Sequence, residues 1–153
     1  QDMPIYREFL MCRNYLKNTS LSNSKYNTRE KIFMSACASN CLTILRNIEH
    51  RVVKNEVIIK SLHKGCKNGH LKVAKFLVDK GANIHAGNDW ALQGACSNGH
   101  LKVAKFLMEK GADIHAENDL AFQNTCEHGH FQVAKFLVEK GANIHAENDL
   151  ALR

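Results

Sequence analysis

The sequence predicts an all-α solenoid of stacked helix-turn-helix units with short connecting loops and no substantial sheet. Three observations carry that expectation. The segment Gly69-His70-Leu71-Lys72-Val73-Ala74-Lys75-Phe76-Leu77 returns almost unchanged at 99–107, and as Gly129-His130-Phe131-Gln132-Val133-Ala134-Lys135-Phe136-Leu137 at 129–137. A Gly-Ala-(Asn/Asp)-Ile-His-Ala stretch follows each copy, beginning at Gly81, Gly111 and Gly141. Cys37, Cys66, Cys96 and Cys126 recur at intervals of 29, 30 and 30 residues. A fixed period of this length marks a unit that cannot bury its apolar face alone and stacks on copies of itself.

Residues 1–29 fall outside the repeat. Pro4 to Leu16 reads as an amphipathic helix, with Ile5, Phe9, Leu10, Cys12 and Leu16 apolar and Pro4 near its start, and is expected to cap the array. Asn18 to Thr28, rich in Ser and Asn, reads as the loop that follows. The array is expected over 30–153, in repeats at about 30–58, 59–88, 89–118 and 119–148 with a truncated repeat at 149–153. Its first copy is degenerate: Phe33, Ala36, Cys37, Asn40, Leu42, Ile44 and Ile48 fall where Leu92, Ala95, Cys96, Gly99, Leu101, Val103 and Leu107 fall later. Asn40 stands in a glycine slot, and asparagine is the next best residue for a left-handed backbone.

Within a full unit, Trp90 to Ser97 reads as a short helix entered through Asn88-Asp89, either of which can cap the free amides of the first turn. Gly99 then stops it. The next run places Leu101, Val103, Ala104, Phe106, Leu107 and Met108 around most of a helix, leaving Lys102, Lys105, Glu109 and Lys110 for solvent. Such a helix packs on two sides. Lys110 complements the helix dipole at its C-terminus, and Gly111 ends the run.

A hydrophobic fraction of 44% with 24% charged residues fits a globular chain. No apolar stretch approaches the roughly 20 residues that span a bilayer, and no basic-then-apolar leader opens the sequence, so no membrane role is expected. The terminal Ala151-Leu152-Arg153 reads as the first turn of an unfinished helix, which points to a longer polypeptide. The net charge of +6 is uneven: residues 1–67 hold 12 Lys/Arg against 5 Asp/Glu, and residues 68–153 hold 9 against 10. A basic N-terminal half can attract nucleic acid or an acidic partner, but no arginine-glycine, basic-helix or aromatic-plus-basic pattern sharpens the nucleic-acid reading.

Repetition also decides how the cysteines and histidines are read. Packed helices stand about 8–10 Å apart, whereas the Cα atoms of a disulfide lie within roughly 7 Å, so equivalent cysteines in successive units are expected to be free and buried as small hydrophobes. His70, His100 and His130 follow the turn glycine, and His85, His115 and His145 occupy the loop. Copied positions point to a shared structural hydrogen bond, not to catalysis. Cys41 with His50 lacks a third orienting group, no Gly-rich phosphate loop is present, and no metal-ligand spacing stands out. The expectation is therefore a chain with no catalytic residues, no cofactor, no metal and no small-molecule substrate.

The unit of helix, Asn-Gly-His-Leu-Lys-Val-Ala-Lys-Phe-Leu and Lys-Gly-Ala-Asp-Ile-His-Ala closely resembles the ankyrin repeat over about residues 30–153. It departs from the common 33-residue form. The usual hairpin loop and Thr-Pro-Leu-His helix opening are replaced by Ile84-His85-Ala86-Gly87-Asn88-Asp89-Trp90-Ala91-Leu92 and by Ile114-His115-Ala116-Glu117-Asn118-Asp119-Leu120-Ala121-Phe122. The projecting finger should be trimmed, the usual inter-repeat hydrogen bonds there are in doubt, and Asn88/Asp89 and Asn118/Asp119 are expected to take over capping. The short Ala-Glu-Asn-Asp-Leu form is similar to repeats of giant DNA viruses of amoebae, the mimivirus-like type. That resemblance implies a host or viral protein partner and an intracellular, reducing setting in host cytoplasm or virus particle, without secretion.

Where repeats agree they specify the scaffold, and where they differ they can store specificity. Lys67-Asn68, Ser97-Asn98 and Glu127-His128 vary at the end of the first helix, a position that faces the concave groove in ankyrin proteins. Gly87, Glu117 and Glu147 vary at the loop tips. Trp90 replaces Lys60, Leu120 and Leu150 of equivalent slots, as an interface anchor or as packing against neighbouring first helices. Non-catalytic protein binding through these ten residues is the expected function. Recruitment of substrates to a ubiquitin ligase, and nucleic-acid or acidic-partner binding through the basic half, are its alternatives.

Overall fold

The structure, a computed structural model, describes residues 28–47 and 53–145 together with Leu10. Apart from Leu10 and Thr28, the expected cap helix and its loop lie outside the described residues, as do Ile48, Glu147 and the truncated repeat. Eight helices follow in order among the described residues: α1 Thr28–Ala38, α2 Leu42–Asn47, α3 Asn55–Lys67, α4 Leu71–Asp79, α5 Ala86–Ser97, α6 Leu101–Glu109, α7 Ala116–Glu127 and α8 Phe131–Glu139. They pair as successive hairpins, and no strand lies among the described residues. α1, α3, α5 and α7 pack on one another more extensively than α4, α6 and α8 do. The first helices therefore form one closely packed layer, the inner face, and α4, α6 and α8 the outer one.

The core is single file. Leu77, Leu107 and Leu137 are buried in one continuous cluster with Val73, Val103 and Val133, as the repeat requires. Phe33, Ala36, Cys37 and Leu45 extend that cluster into the degenerate first hairpin. Cys37, Cys66 and Cys96 are fully buried thiols, and Cys126 is a half-buried one. Burial pushes the Cys66 and Cys96 thiols up to about 12, so both stay protonated and behave as small hydrophobes at neutral pH.

Every helix end followed by described residues, that is all but the end of α2, is closed by a left-handed residue. Gly99 has φ 75°, and the His100 N–H donates to the Ala95 carbonyl at 2.9 Å, in the Schellman arrangement. Asn40 performs the same turn at φ 58°, with the Cys41 N–H on the Ala36 carbonyl at 2.9 Å, as expected for asparagine in the glycine slot.

The first-helix opening differs from the expectation that Asn88/Asp89 and Asn118/Asp119 cap their own helices. Gly87, Asn88 and Asp89 are all left-handed, at φ 64°, 55° and 59°, and Glu117, Asn118 and Asp119 repeat the turn at 53°, 56° and 60°. The carboxylates thereby reach sideways. Asp89 Oδ1 accepts the Asp113 N–H of the next loop at 3.0 Å, and Asp119 Oδ1 accepts the Asn143 N–H at 2.9 Å. Gln93 Nε2 donates to the Asn88 carbonyl at 2.7 Å and Gln123 Nε2 to that of Asn118 at 2.8 Å, holding the turn from within. The bonds between repeats that the trimmed loop put in doubt are thus replaced, not lost.

The two histidine series divide the remaining joints. A carbonyl can only accept, so Nε2 carries the proton in His70, His100 and His130, which donate to Ala38, Lys67 and Ser97 carbonyls at 2.8, 2.9 and 3.1 Å. Each ring therefore ties its repeat to the C-terminus of the preceding first helix. His85 and His115 instead use Nδ1 on Asp89 and Asp119, at 3.2 and 3.1 Å.

Candidate interaction surface

The varied positions stand at the C-terminal ends of α3, α5 and α7, in the layer of first helices. Lys67, Asn98, Glu127 and His128 are exposed, while Asn68 and Ser97 are half-buried. Their freedom differs. Asn68 Nδ2 donates to the Ala38 carbonyl at 3.0 Å, which makes this side chain a joint between repeats beside His70 and not a free recognition group. Asn98 Nδ2 donates to the Gly94 carbonyl at 2.9 Å, and His128 Nδ1 bonds the Asn124 carbonyl at 2.7 Å, so both fold back on their own helices. Lys67 and Glu127 are exposed and carry opposite charge.

At the loop tips Gly87 and Glu117 are exposed. Glu117 accepts a hydrogen bond from Asn88 Nδ2 of the preceding repeat, so one of its carboxylate oxygens already serves the scaffold. Glu147 lies outside the described residues.

Trp90 packs against the neighbouring first helix, as one of its two sequence readings expects, and stays partly open to solvent. Its ring stacks on His63 of the preceding first helix, with centroids 3.9 Å apart and planes 15° from parallel, and yet the residue is 41% exposed. His63 was missed by sequence reasoning, as was Gly94, where a Cβ would stand 3.0 Å from two atoms of the His63 ring. A signal existed in the period: His63 occupies the slot of Gln93 and Gln123, and Gly94 that of Lys64 and Asn124.

Burial first, and then the charges of Lys67 and Lys64, bring the His63 pKa from 6.5 down to about 4. The ring is neutral at pH 7. Its folded value lies below its unfolded one, so the unfolded chain binds the extra proton and stability falls as pH drops from 6.5 toward 4. His63→Gln, which installs the residue of the equivalent slots, is expected to flatten that part of the curve. Urea midpoints of both proteins through this window provide the check, and parallel curves would contradict the shift.

Lys72, Lys75, Lys102, Lys105 and Lys135 sit on α4, α6 and α8, whereas Asp113, Glu117 and Glu127 sit on loops and a first helix. The outer lysines are partly packing groups: Lys75 and Lys110 stand 5.7 and 5.9 Å from the Phe106 ring centre, and Lys105 and Lys140 5.5 and 6.0 Å from that of Phe136. Each outer helix also ends on a carboxylate, Asp79, Glu109 or Glu139, so the net basic character stays with the first half.

Among the described residues no group of three His, Cys, Asp or Glu side chains could hold a metal ion. Among them, too, no helix is long and apolar enough to cross a membrane.

Comparison with known proteins agrees with this geometry. The family model described as ankyrin repeats (3 copies) matches residues 33–119 and 62–148. The chain is similar to an ankyrin repeat protein of Acanthamoeba polyphaga mimivirus, at 38% identity over 56 residues, covering 33% of this chain and 25% of that relative. The matched stretch is thus a quarter of the relative's length. With the hairpins, the inter-repeat histidine bonds and the glycine turns in the same register, the chain belongs to the ankyrin-repeat family.

Proposed function

We propose that the chain is a non-catalytic scaffold that binds a protein partner through its inner, first-helix face and adjoining loop tips. Ankyrin repeats generally mediate protein–protein interaction. One observation carries the finer reading. Most shared slots serve core packing, inter-repeat bonds or the exposed lysines of the outer helices, whereas Lys67, Trp90, Glu127 and His128 differ between repeats and are exposed on or beside the first helices. A partner read by those differences binds over several repeats, with affinity spread among them. The partner is a host or viral protein in an intracellular, reducing setting, a reading supported by the mimivirus relative and the cysteine thiols.

The test is site-specific photocrosslinking in host-cell lysate, with a benzophenone amino acid at Ser97 or Glu127 and, as outer-face controls, at Lys102 or Gln132. Discrete protein adducts are expected from the first pair, and they should vanish when Lys67, Asn98 and His128 are changed together to alanine. Adducts arising equally from the controls would reject the inner face.

A further inference from the structure

Four departures from the repeat pattern, far apart in sequence, meet at one place on the inner face. Gly94 lacks the side chain that Asn124 carries in its slot, and so leaves room for the His63 ring. His63, in place of glutamine, supports one face of Trp90. Trp90, in place of leucine, extends an indole toward solvent. Gly87, in place of glutamate, keeps both bulk and negative charge away from that indole; a Cβ there would stand 3.3 Å from the Trp90 Cβ. Each change makes sense only with the others. Core packing does not account for the set, because Leu120 fills the same slot in the next repeat half-buried and without a stacked ring.

Of the carboxylates beside this shelf, Asp89 is buried and Glu117 is bonded to Asn88. Lys64 and Lys67 are exposed on the same helix as His63 and have no carboxylate partner among the described residues, whereas Lys60, one turn away, is paired with Glu56 at 2.9 Å. Slot by slot the end of the first helix runs Lys67, Ser97, Glu127, so the potential reverses over two repeat spacings, about 20 Å. The shelf sits at the positive end.

We infer that the His63–Trp90 shelf with Lys64 and Lys67 is a subsite for an acidic linear segment of a protein partner, seating one aromatic or long apolar side chain on the indole with carboxylates toward the two lysines. This assignment rests on the inner-face reading and adds the partner's chemistry to it. Tryptophan supplies a rigid contact at low entropic cost, and unpaired lysines favour anionic segments and repel basic ones.

The test is selection of peptides of about twelve random residues, displayed on phage, against the whole immobilised chain. Enriched sequences should place Asp or Glu within a few positions of Trp, Phe, Leu or Met. Their affinity should fall at least about tenfold for a variant carrying His63→Gln, Lys64→Asn, Lys67→Glu and Trp90→Leu together, every change being the residue of an equivalent slot and so compatible with the fold. Circular dichroism checks that compatibility, and Lys102→Glu on the outer face should leave binding unchanged. Basic or uncharged sequences that are lost on mutating Ser97 and Glu127 would overturn the acidic subsite while leaving the inner face standing. Acidic peptides lost with Lys102→Glu but kept by the fourfold variant would overturn both, and the absence of any enriched sequence would overturn a linear segment as occupant.

Discussion

Replacing Gly99 with alanine is expected to lower the free energy of unfolding by about 2–4 kcal/mol, against about 1–2 kcal/mol for the same change at Gly129. Both glycines are left-handed, with φ 75° and 72°, so both changes carry the backbone penalty of an L side chain in that region. They differ in what the new methyl meets. At Gly99 a Cβ would lie 2.6 Å from Nδ1 of His130, whereas at Gly129 nothing stands within 4 Å. The imidazole has little room to yield, because its Nε2 donates to the Ser97 carbonyl at 3.1 Å. Alanine at 99 therefore either strains the turn or expels the ring from the bond that joins two repeats.

A double-mutant cycle separates these terms. In a His130→Ala background the obstacle is gone, and Gly99→Ala should retain only the backbone cost, leaving a coupling of about 1–2 kcal/mol. Chemical denaturation of the four proteins measures it. Additive losses would mean that the ring and the glycine do not meet, and that the Gly-His pairing of successive repeats is coincidental.

That pairing illustrates what could be read from the chain and what could not. The period located helices, glycine turns and a shared interior before any coordinates, because burial at Leu77, Leu107 and Leu137 and left-handed turns at Gly99 or Asn40 are local requirements of residue type. It also showed that His100 and His130 had a common structural role. It did not show that each ring reaches back a whole repeat to Lys67 and Ser97, since that bond depends on how hairpins are offset in the stack. Asp89 misled for a related reason. Asn-Asp before a helix reads as a cap, but three successive left-handed residues carry the carboxylate past its own helix, and a run of three including a glutamate is not an expectation that residue preference supports. His63 stands where Gln93 and Gln123 stand in other repeats, and only the stacked Trp90 and the bare Gly94 give that substitution a purpose.

Asp89→Ala is expected to cost about 2–3 kcal/mol, while Asp89→Asn costs about 1 kcal/mol. Alanine removes the buried acceptor that holds the Asp113 N–H at 3.0 Å, and must still adopt φ 59° without a polar side chain to favour it. Asparagine keeps an oxygen in the same place and tolerates the left-handed turn, losing chiefly the charge assistance. The bond to His85 adds little to either figure, because that imidazole is more than half exposed. Hydrogen exchange then distinguishes the bridging role from capping. If Asp89 joins consecutive loops, the Asp113 amide loses protection in the alanine protein and the Ala91 and Leu92 amides keep theirs; a cap would expose those two first. Because this carboxylate links one repeat to the next, its loss should also broaden the unfolding transition, as expected when the coupling between neighbours weakens and the intrinsic stability of each hairpin does not. Asp119, which holds the Asn143 N–H at 2.9 Å, should behave alike, with the effect confined to the last described repeat.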